Sequence, residues 1–227
     1  MNALNIPRKE LAKMIDSTDV RATATRNEIE TLCREAISYG FGCVCVNPVY
    51  VKFVAGLLEG SSVRLCSTVG FPFGTSLPDT KALEAIKAIE DGADELDMVV
   101  NLSALKSGDY ESVKQDIKAV VDVKGLSKEI IVKVIIETAQ LTASERLIAC
   151  RLSKEAGADF VKTSTGFFGG GATVEDVTLM RQAVGNDMGV KAAGGIRTYT
   201  EAAAMIKAGA NRIGTSSAVA IIKEAPR

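Results

Sequence analysis

Four charged residues stand inside apolar runs: Asp97 in ELDMVV, Lys133 in IIVKVII, Lys162 in DFVKTSTG and Lys191 in GVKAAGG. A lysine flanked by Val, Ile or Phe must bury its ammonium or project it into a cavity. Burial without a partner is costly, so such a group pairs with a carboxylate or gives up its proton. For any single lysine, an ion pair that merely fixes the fold is as good a reading as catalysis. Three lysines and an aspartate on separate strands favour a reactive cavity. A free lysine has a pKa of about 10.4, and a second cation close by disfavours its charged form. Lys162 and Lys191, on adjacent strands, supply that arrangement: one as nucleophile, the other as its electrostatic activator. Asp97 can accept and return protons, directly or through water. Lys133 is open between a pocket role and a structural ion pair with Glu137 on the same face.

Other chemistries are narrowed by what the chain lacks. It has no histidine, which removes histidine acid–base catalysis, the usual serine triad and histidine-ligated metal sites. Its 5 cysteines (Cys33, Cys43, Cys45, Cys66, Cys150) are odd in number and form no CxxC pair, so reduced thiols of a cytoplasmic protein are expected. Cys43 and Cys45 alternate within one apolar run and face one side of a strand, where Cys45 could border the cavity. Asp16 is expected to end the first strand as a supporting acid.

Glycine-rich segments follow three strand candidates: GFFGGGAT (Gly166–Thr173), AAGGIRT (Ala192–Thr198) and IGTSSA (Ile213–Ala218). Glycine lets backbone N–H groups approach an anion closely. Ser216, Ser217 and Arg197 could add donors. One such loop mostly marks a turn; several after the last strands of a barrel suggest a phosphorylated substrate. GFPFG (Gly70–Gly74) reads as another loop that could line the pocket, and Lys106 and Asp109 as loop residues after strand four.

The elements that must position these residues are periodic. Four segments read helix end, Gly, apolar strand, with the stops at Gly40, Gly92, Gly157 and Gly209. Their strands, with Val63–Phe71, Glu129–Thr138, Met188–Gly195 and a short first one at Lys13–Asp16, make eight. Amphipathic segments at Arg26–Ser38, Pro48–Leu58, Asp79–Glu90, Tyr110–Val123, Ala143–Glu155, Val174–Ala183 and Thr200–Lys207 separate them, with Ser217–Lys223 as a last short helix. Thr25 with Glu28 and Thr173 with Asp176 mark helix starts. Alternating strands and helices imply a parallel sheet. An open doubly wound sheet is the rival. The repeat on every second strand, and the spread of charged residues over many strands, favour a closed α/β barrel, a single (β/α)8 TIM barrel spanning 1–227.

Composition agrees with this reading. The 227 residues are 47% hydrophobic and only 5% aromatic, so the core is aliphatic. Net charge is −1, which argues against a nucleic-acid surface or a membrane patch. No segment is long enough to span a bilayer, and Met1–Lys13 lacks the apolar run of a signal peptide.

The chain resembles the deoxyribose-phosphate aldolase family along nearly its whole length. The resemblance is carried by IDST (Ile15–Thr18), YGFGCVCVNP (Tyr39–Pro48), TVGFPFG (Thr68–Gly74), ELDMVVNLSALKSGDY (Glu95–Tyr110), VKVIIET (Val132–Thr138), GADFVKTSTGF (Gly157–Phe167), GGATVEDV (Gly170–Val177), VKAAGGIRT (Val190–Thr198) and IGTSSA. The ordered pair FVKTSTG and VKAAGGIRT is the most specific part. The resemblance implies reversible cleavage of 2-deoxy-D-ribose 5-phosphate to acetaldehyde and D-glyceraldehyde 3-phosphate. It assigns the Schiff-base nucleophile to Lys162, the second lysine to Lys191 and the proton relay to Asp97. It places phosphate binding at Gly166, Gly194, Gly195, Gly214, Ser216 and Ser217. It implies no metal or organic cofactor, and a homodimer or homotetramer. The chain departs from the common family pattern at Ser17, where many members have His, at Ala193, where Ser is usual, and in DVRATAT after Thr18, which lacks the common Leu and Pro. Other readings are a Schiff-base aldolase for a different phosphosugar, a phosphosugar isomerase working through carboxylates, and a barrel that senses a phosphorylated ligand without turnover.

Overall fold

The computed structural model describes residues 5–126 and 130–226. Eight parallel strands close into one barrel in sequence order: β1 (Ile15–Asp19), β2 (Cys43–Val46), β3 (Arg64–Val69), β4 (Glu95–Val99), β5 (Ile131–Ile135), β6 (Phe160–Lys162), β7 (Gly189–Ala193) and β8 (Arg212–Thr215). β8 pairs with β1, so no sheet edge is left open and the doubly wound alternative falls. Around the barrel lie α1 (Arg8–Met14), α2 (Arg26–Tyr39), α3 (Val51–Leu58), α4 (Pro78–Glu90), α5 (Leu102–Lys106), α6 (Tyr110–Val121), α7 (Ala143–Glu155), α8 (Val174–Val184), α9 (Tyr199–Lys207) and α10 (Ala218–Glu224). Glu129, where the fifth strand was expected to start, lies outside the described residues, as do Met1–Leu4 of the N-terminal segment.

Strand parity sorts the interior into two chemistries. Residues at one parity, including Val44, Val46, Leu65, Leu96, Val132, Val134, Val161, Val190 and Ile213, join the aliphatic core between sheet and helices. Those at the other parity face into the barrel, where Cys43, Cys45 and Cys66 form a separate small cluster. Both helix starts marked in the sequence are capped by threonine: Thr25 forms a capping box with Glu28, and the Thr173 side chain accepts from Asp176 N. Thr142 and Thr198 open two further helices with capping boxes, to Glu145 and Glu201. Gly40 ends α2 in the left-handed conformation, φ 68°.

Two local expectations are corrected. Lys13 and Met14 belong to α1, not to the first strand, and Asp16 is the second residue of β1 instead of its end. Pro7 opens this helix and Leu11 and Ala12 bury one face of it. The strand that follows, IDSTD, is too polar to show an apolar run. Lys106 ends α5, a short helix capped by the Asn101 side chain, and its ammonium pairs with Glu145 at 2.8 Å.

The end of β4 is locked from behind by a buried ion pair. Lys81 of α4 is fully buried and donates to Asp116 Oδ2 of α6 at 2.7 Å and to the Val99 carbonyl at 2.8 Å. The same carboxylate oxygen accepts from Asn101 N at 3.1 Å. Burial lowers the Lys81 pKa and raises that of Asp116, while each charge opposes the shift of the other. Removing one member leaves the other uncompensated. Asp116→Ala is therefore expected to cost about 3–5 kcal/mol in urea unfolding; a loss below about 1 kcal/mol would show the pair to be dispensable.

Candidate active site

Barrel interiors of this kind are usually filled by branched aliphatic side chains. Here the inward positions of β1, β4, β5, β6, β7 and β8 carry Asp16, Glu95, Asp97, Lys133, Lys162, Lys191 and Arg212, which meet across the barrel. Asp97 is the hub. Its Oδ2 accepts from Lys162 Nζ at 2.7 Å and Lys191 Nζ at 2.7 Å. Its Oδ1 accepts from Lys133 Nζ at 2.8 Å and lies 3.2 Å from Cys66 Sγ. Two positions earlier on the same face, Glu95 accepts from Lys133 at 2.7 Å and faces Arg212 at 3.4 Å. Asp16 joins the two levels, 2.5 Å from Lys191 and 2.5 Å from Arg212. The strand register produces this: Asp97 is paired with Lys133, and Lys162 with Lys191.

The charges hold one another in their ionised forms. Burial would raise the Asp97 pKa, but Lys133, Lys162 and Lys191 bring it well below the usual carboxylate range. Asp16 is lowered against the same burial penalty by Lys191 and Arg212. Burial would lower Lys133 and Lys191, yet Asp97 raises Lys133 and Asp16 with Asp97 raises Lys191. Burial also opposes ionisation of Cys66, but hydrogen bonding with Cys43 and Cys45 and the charge of Lys133 bring it down to about 5. Buried Lys133, Lys162, Lys191 and Arg212 thus face the carboxylates of Asp16, Glu95 and Asp97, with Cys66 Sγ beside Asp97 Oδ1.

A cavity of about 560 Å³ opens at the C-terminal ends of the strands. Lys162 is on its wall, with Thr165, Gly166, Phe167, Gly194, Gly195, Arg197, Gly214 and Ser216. Lys191 and Asp97 are not on that wall; they lie beneath Lys162, fully buried. Gly214 makes room for them, since a Cβ there would lie 3.0 Å from Lys191 Cε. The loops after β6 and β7 touch: Ala172 N donates to the Gly194 carbonyl at 3.0 Å. Gly194 and Gly195 both have left-handed backbones, φ 94° and 78°.

Four expected placements differ. Ser217 does not line the cavity; its N–H turns back to Thr215 Oγ1 at 2.9 Å. Gly70–Gly74 do not line it either, although Phe71 backs the wall through an edge contact with Phe167. Cys45 is buried beside Asp97 Oδ2 at 4.0 Å, below the cavity. Lys133 pairs with Asp97 and Glu95, not with Glu137, whose carboxylate turns to Thr165. Glu95 and Arg212 were not singled out from sequence. Their signal was parity: each stands two positions before an inward residue, Asp97 and Gly214.

Among the described residues, Cys45, Cys66 and Asp97, and separately Asp16, Cys43 and Glu95, come close enough to hold a cation. Their carboxylates already accept from lysine and arginine, so an added cation would have to displace buried ion pairs.

A profile described as DeoC/LacD family aldolase matches residues 11–223. The chain is 60% identical to a deoxyribose-phosphate aldolase of Methanothermobacter thermautotrophicus, over 95% of this chain and 95% of that one. It is 58% identical to another from Thermococcus kodakarensis, over 96% and 98% respectively. The deoxyribose phosphate aldolase structure from Aeropyrum pernix, described as tetrameric, superposes with a TM-score of 0.89 at 38% identity, covering 95% of this chain and 91% of that one. No helix among the described residues is long and apolar enough to cross a membrane.

The shifts have a sign that unfolding can read. Asp16 and Asp97 have depressed folded pKa values, so their contribution is full above the unfolded value of about 3.9 and is lost as pH falls through the folded values. Lys133 and Lys191 are raised, so theirs is full below about 10.4 and is lost as pH rises through the folded values. From these four groups, urea unfolding is expected to show stability falling as pH drops below about 4 and again as it rises above about 10. Stability that increases from pH 5 down to about pH 3 would contradict the assignment.

Proposed function

We propose a reaction for a chain that belongs to the DeoC/LacD family of aldolases: reversible cleavage of 2-deoxy-D-ribose 5-phosphate to acetaldehyde and D-glyceraldehyde 3-phosphate, through an imine on Lys162. One observation carries the assignment of the nucleophile. Of the three lysines on Asp97, only Lys162 lines the cavity; the other two ammonium groups are sealed beneath it.

Imine formation needs the neutral amine, and of the lysines on Asp97 only Lys162 lines the cavity where an aldehyde can meet it. The amine adds to the aldehyde carbon of the open-chain sugar, and water leaves to give an iminium. Asp97, through a water, takes the proton of the hydroxyl on the third carbon. The bond between the second and third carbons breaks, and its electrons move toward the iminium nitrogen. Glyceraldehyde 3-phosphate departs and an enamine remains on Lys162. Protonation of the enamine carbon and hydrolysis release acetaldehyde and restore the amine. Lys191, held charged by Asp16, competes with Lys162 for the same Asp97 oxygen. This weakens the hold of Asp97 on a Lys162 ammonium. No metal or organic cofactor enters any step. The phosphate would lie against Gly166, Gly194, Gly195, Gly214 and Ser216, with Ser217 just behind.

The working unit in this reading is the single barrel of 1–227, assembled as a homodimer or homotetramer in the cytoplasm. The tetrameric description of the Aeropyrum relative supports assembly. An isomerase acting through carboxylates is less well supported, because the matching family and the relatives of 58–60% identity are described as aldolases.

Lys162→Leu is expected to lower kcat for deoxyribose phosphate cleavage by at least about 10³-fold, measured by coupled reduction of the released aldehydes. Circular dichroism would verify folding. Ordinary turnover by the folded variant would remove Lys162 as the nucleophile.

A further inference from the structure

We infer that Glu137 is a positioning residue for the phosphate end of the pocket; the inference rests on the phosphosugar reading above. Glu137 follows β5, touches no reacting group in the proposed mechanism, and is fully buried. Among the described residues it is the sole non-glycine with positive φ, at φ 57° and ψ 66°. A glutamate held in the left-handed region carries a conformational cost, and such costs persist where surrounding contacts impose them.

The contacts lead to the loop that follows Lys162. Glu137 Oε2 accepts from Thr165 N at 2.9 Å and from Thr165 Oγ1 at 2.5 Å. Thr165 Oγ1 in turn accepts from Phe167 N at 3.1 Å. Thr165, Gly166 and Phe167 are all on the cavity wall. Backbone bonds on either side of Glu137 tie the same two strand ends: Ile136 N to the Lys162 carbonyl at 3.0 Å, and Thr138 N to the Thr163 carbonyl at 2.9 Å. The turn after Glu137 continues the support, with Gln140 donating to the Phe168 carbonyl at 3.2 Å. The left-handed turn therefore aims a buried carboxylate at the first residues of the Gly166 loop. It fixes where the Gly166 N–H can meet an anion. Glu137 Oε1 has no hydrogen-bond partner among the described residues. The bracing comes wholly from the other oxygen, and an amide in its place would keep an acceptor for both Thr165 donors.

Two substitutions separate positioning from general support. Glu137→Gly removes the carboxylate and also relieves the left-handed strain. Glu137→Gln keeps the acceptor. Kinetics with 2-deoxyribose 5-phosphate and unphosphorylated 2-deoxyribose would be compared, together with the rise in Tm on adding inorganic phosphate. Glu137→Gly is expected to raise KM for the phosphate ester about tenfold or more, to change kcat/KM for 2-deoxyribose by less than about threefold, and to abolish the phosphate-induced rise in Tm. Glu137→Gln is expected to return KM to within about threefold of the parent. If Glu137→Gly does not fold, Thr165→Val removes the hydroxyl half of the link while the Thr165 N–H bond stays, and is expected to raise KM for the phosphate ester and leave 2-deoxyribose kinetics within about threefold. An unchanged KM and Tm rise, an equal loss on both substrates, or a Gln variant as damaged as the Gly variant would overturn the proposal. So would the absence of any phosphate-induced Tm rise in the parent. The Tm measurement needs no turnover, so a parent that binds phosphate but does not cleave deoxyribose phosphate would remove the substrate reading while still deciding the role of Glu137.

Discussion

Three lysine amino groups converge on the carboxylate of Asp97 in the buried interior of the barrel. An isolated ion at such a place is prohibitively costly, and ion pairs there are tolerated only when geometry and charge count are both satisfied. Much of the architecture meets that requirement. β4 must sit in register with β5 so that Lys133 lies beside Asp97. β6 and β7 must bring Lys162 and Lys191 to the same level. Asp16, Glu95 and Arg212 complete the balance one level deeper. Gly214 leaves the space through which Lys191 passes.

This interior contributes little stability for its size, because desolvation consumes most of the Coulombic attraction. Cohesion comes from the other face of each strand, where Val, Ile and Leu pack against the helices. The division lets one set of strands serve two ends. The outer parity holds the barrel together, and the inner parity holds charges that a conventional core would exclude. Reactivity then follows from depth: the members of the network share partners, but only Lys162 reaches the cavity.

The strands with apolar cores and the helix starts at Thr25 and Thr173 were legible in the sequence, because their signals are local. β1 was blurred, since IDSTD has no apolar alternation and its start is set by Gly42. That residue's N–H donates to the Ala12 and Ile15 carbonyls, and a Cβ on it would meet the Lys13 carbonyl oxygen at 2.2 Å. Lys162, Lys191 and Asp97 stood out as charges within apolar strands, and the structure places them together. Their roles remain the proposal made above. The partner of Lys133 was not legible: Glu95 and Glu137 share its parity rules, and only inter-strand register and the left-handed turn at Glu137 choose between them. Ser217 was misplaced for a similar reason, because the chain turns after Thr215 in a way that sequence does not encode locally.

The claim on which the rest depends is that Lys162, and not Lys133 or Lys191, is the amine that reacts. Reduction of the folded protein with borohydride in the presence of acetaldehyde, followed by peptide mass spectrometry, tests it most directly. The account requires an ethyl group on Lys162, with Lys133 and Lys191 unmodified. A modification on either buried lysine instead, or no adduct at all in folded protein, would contradict it.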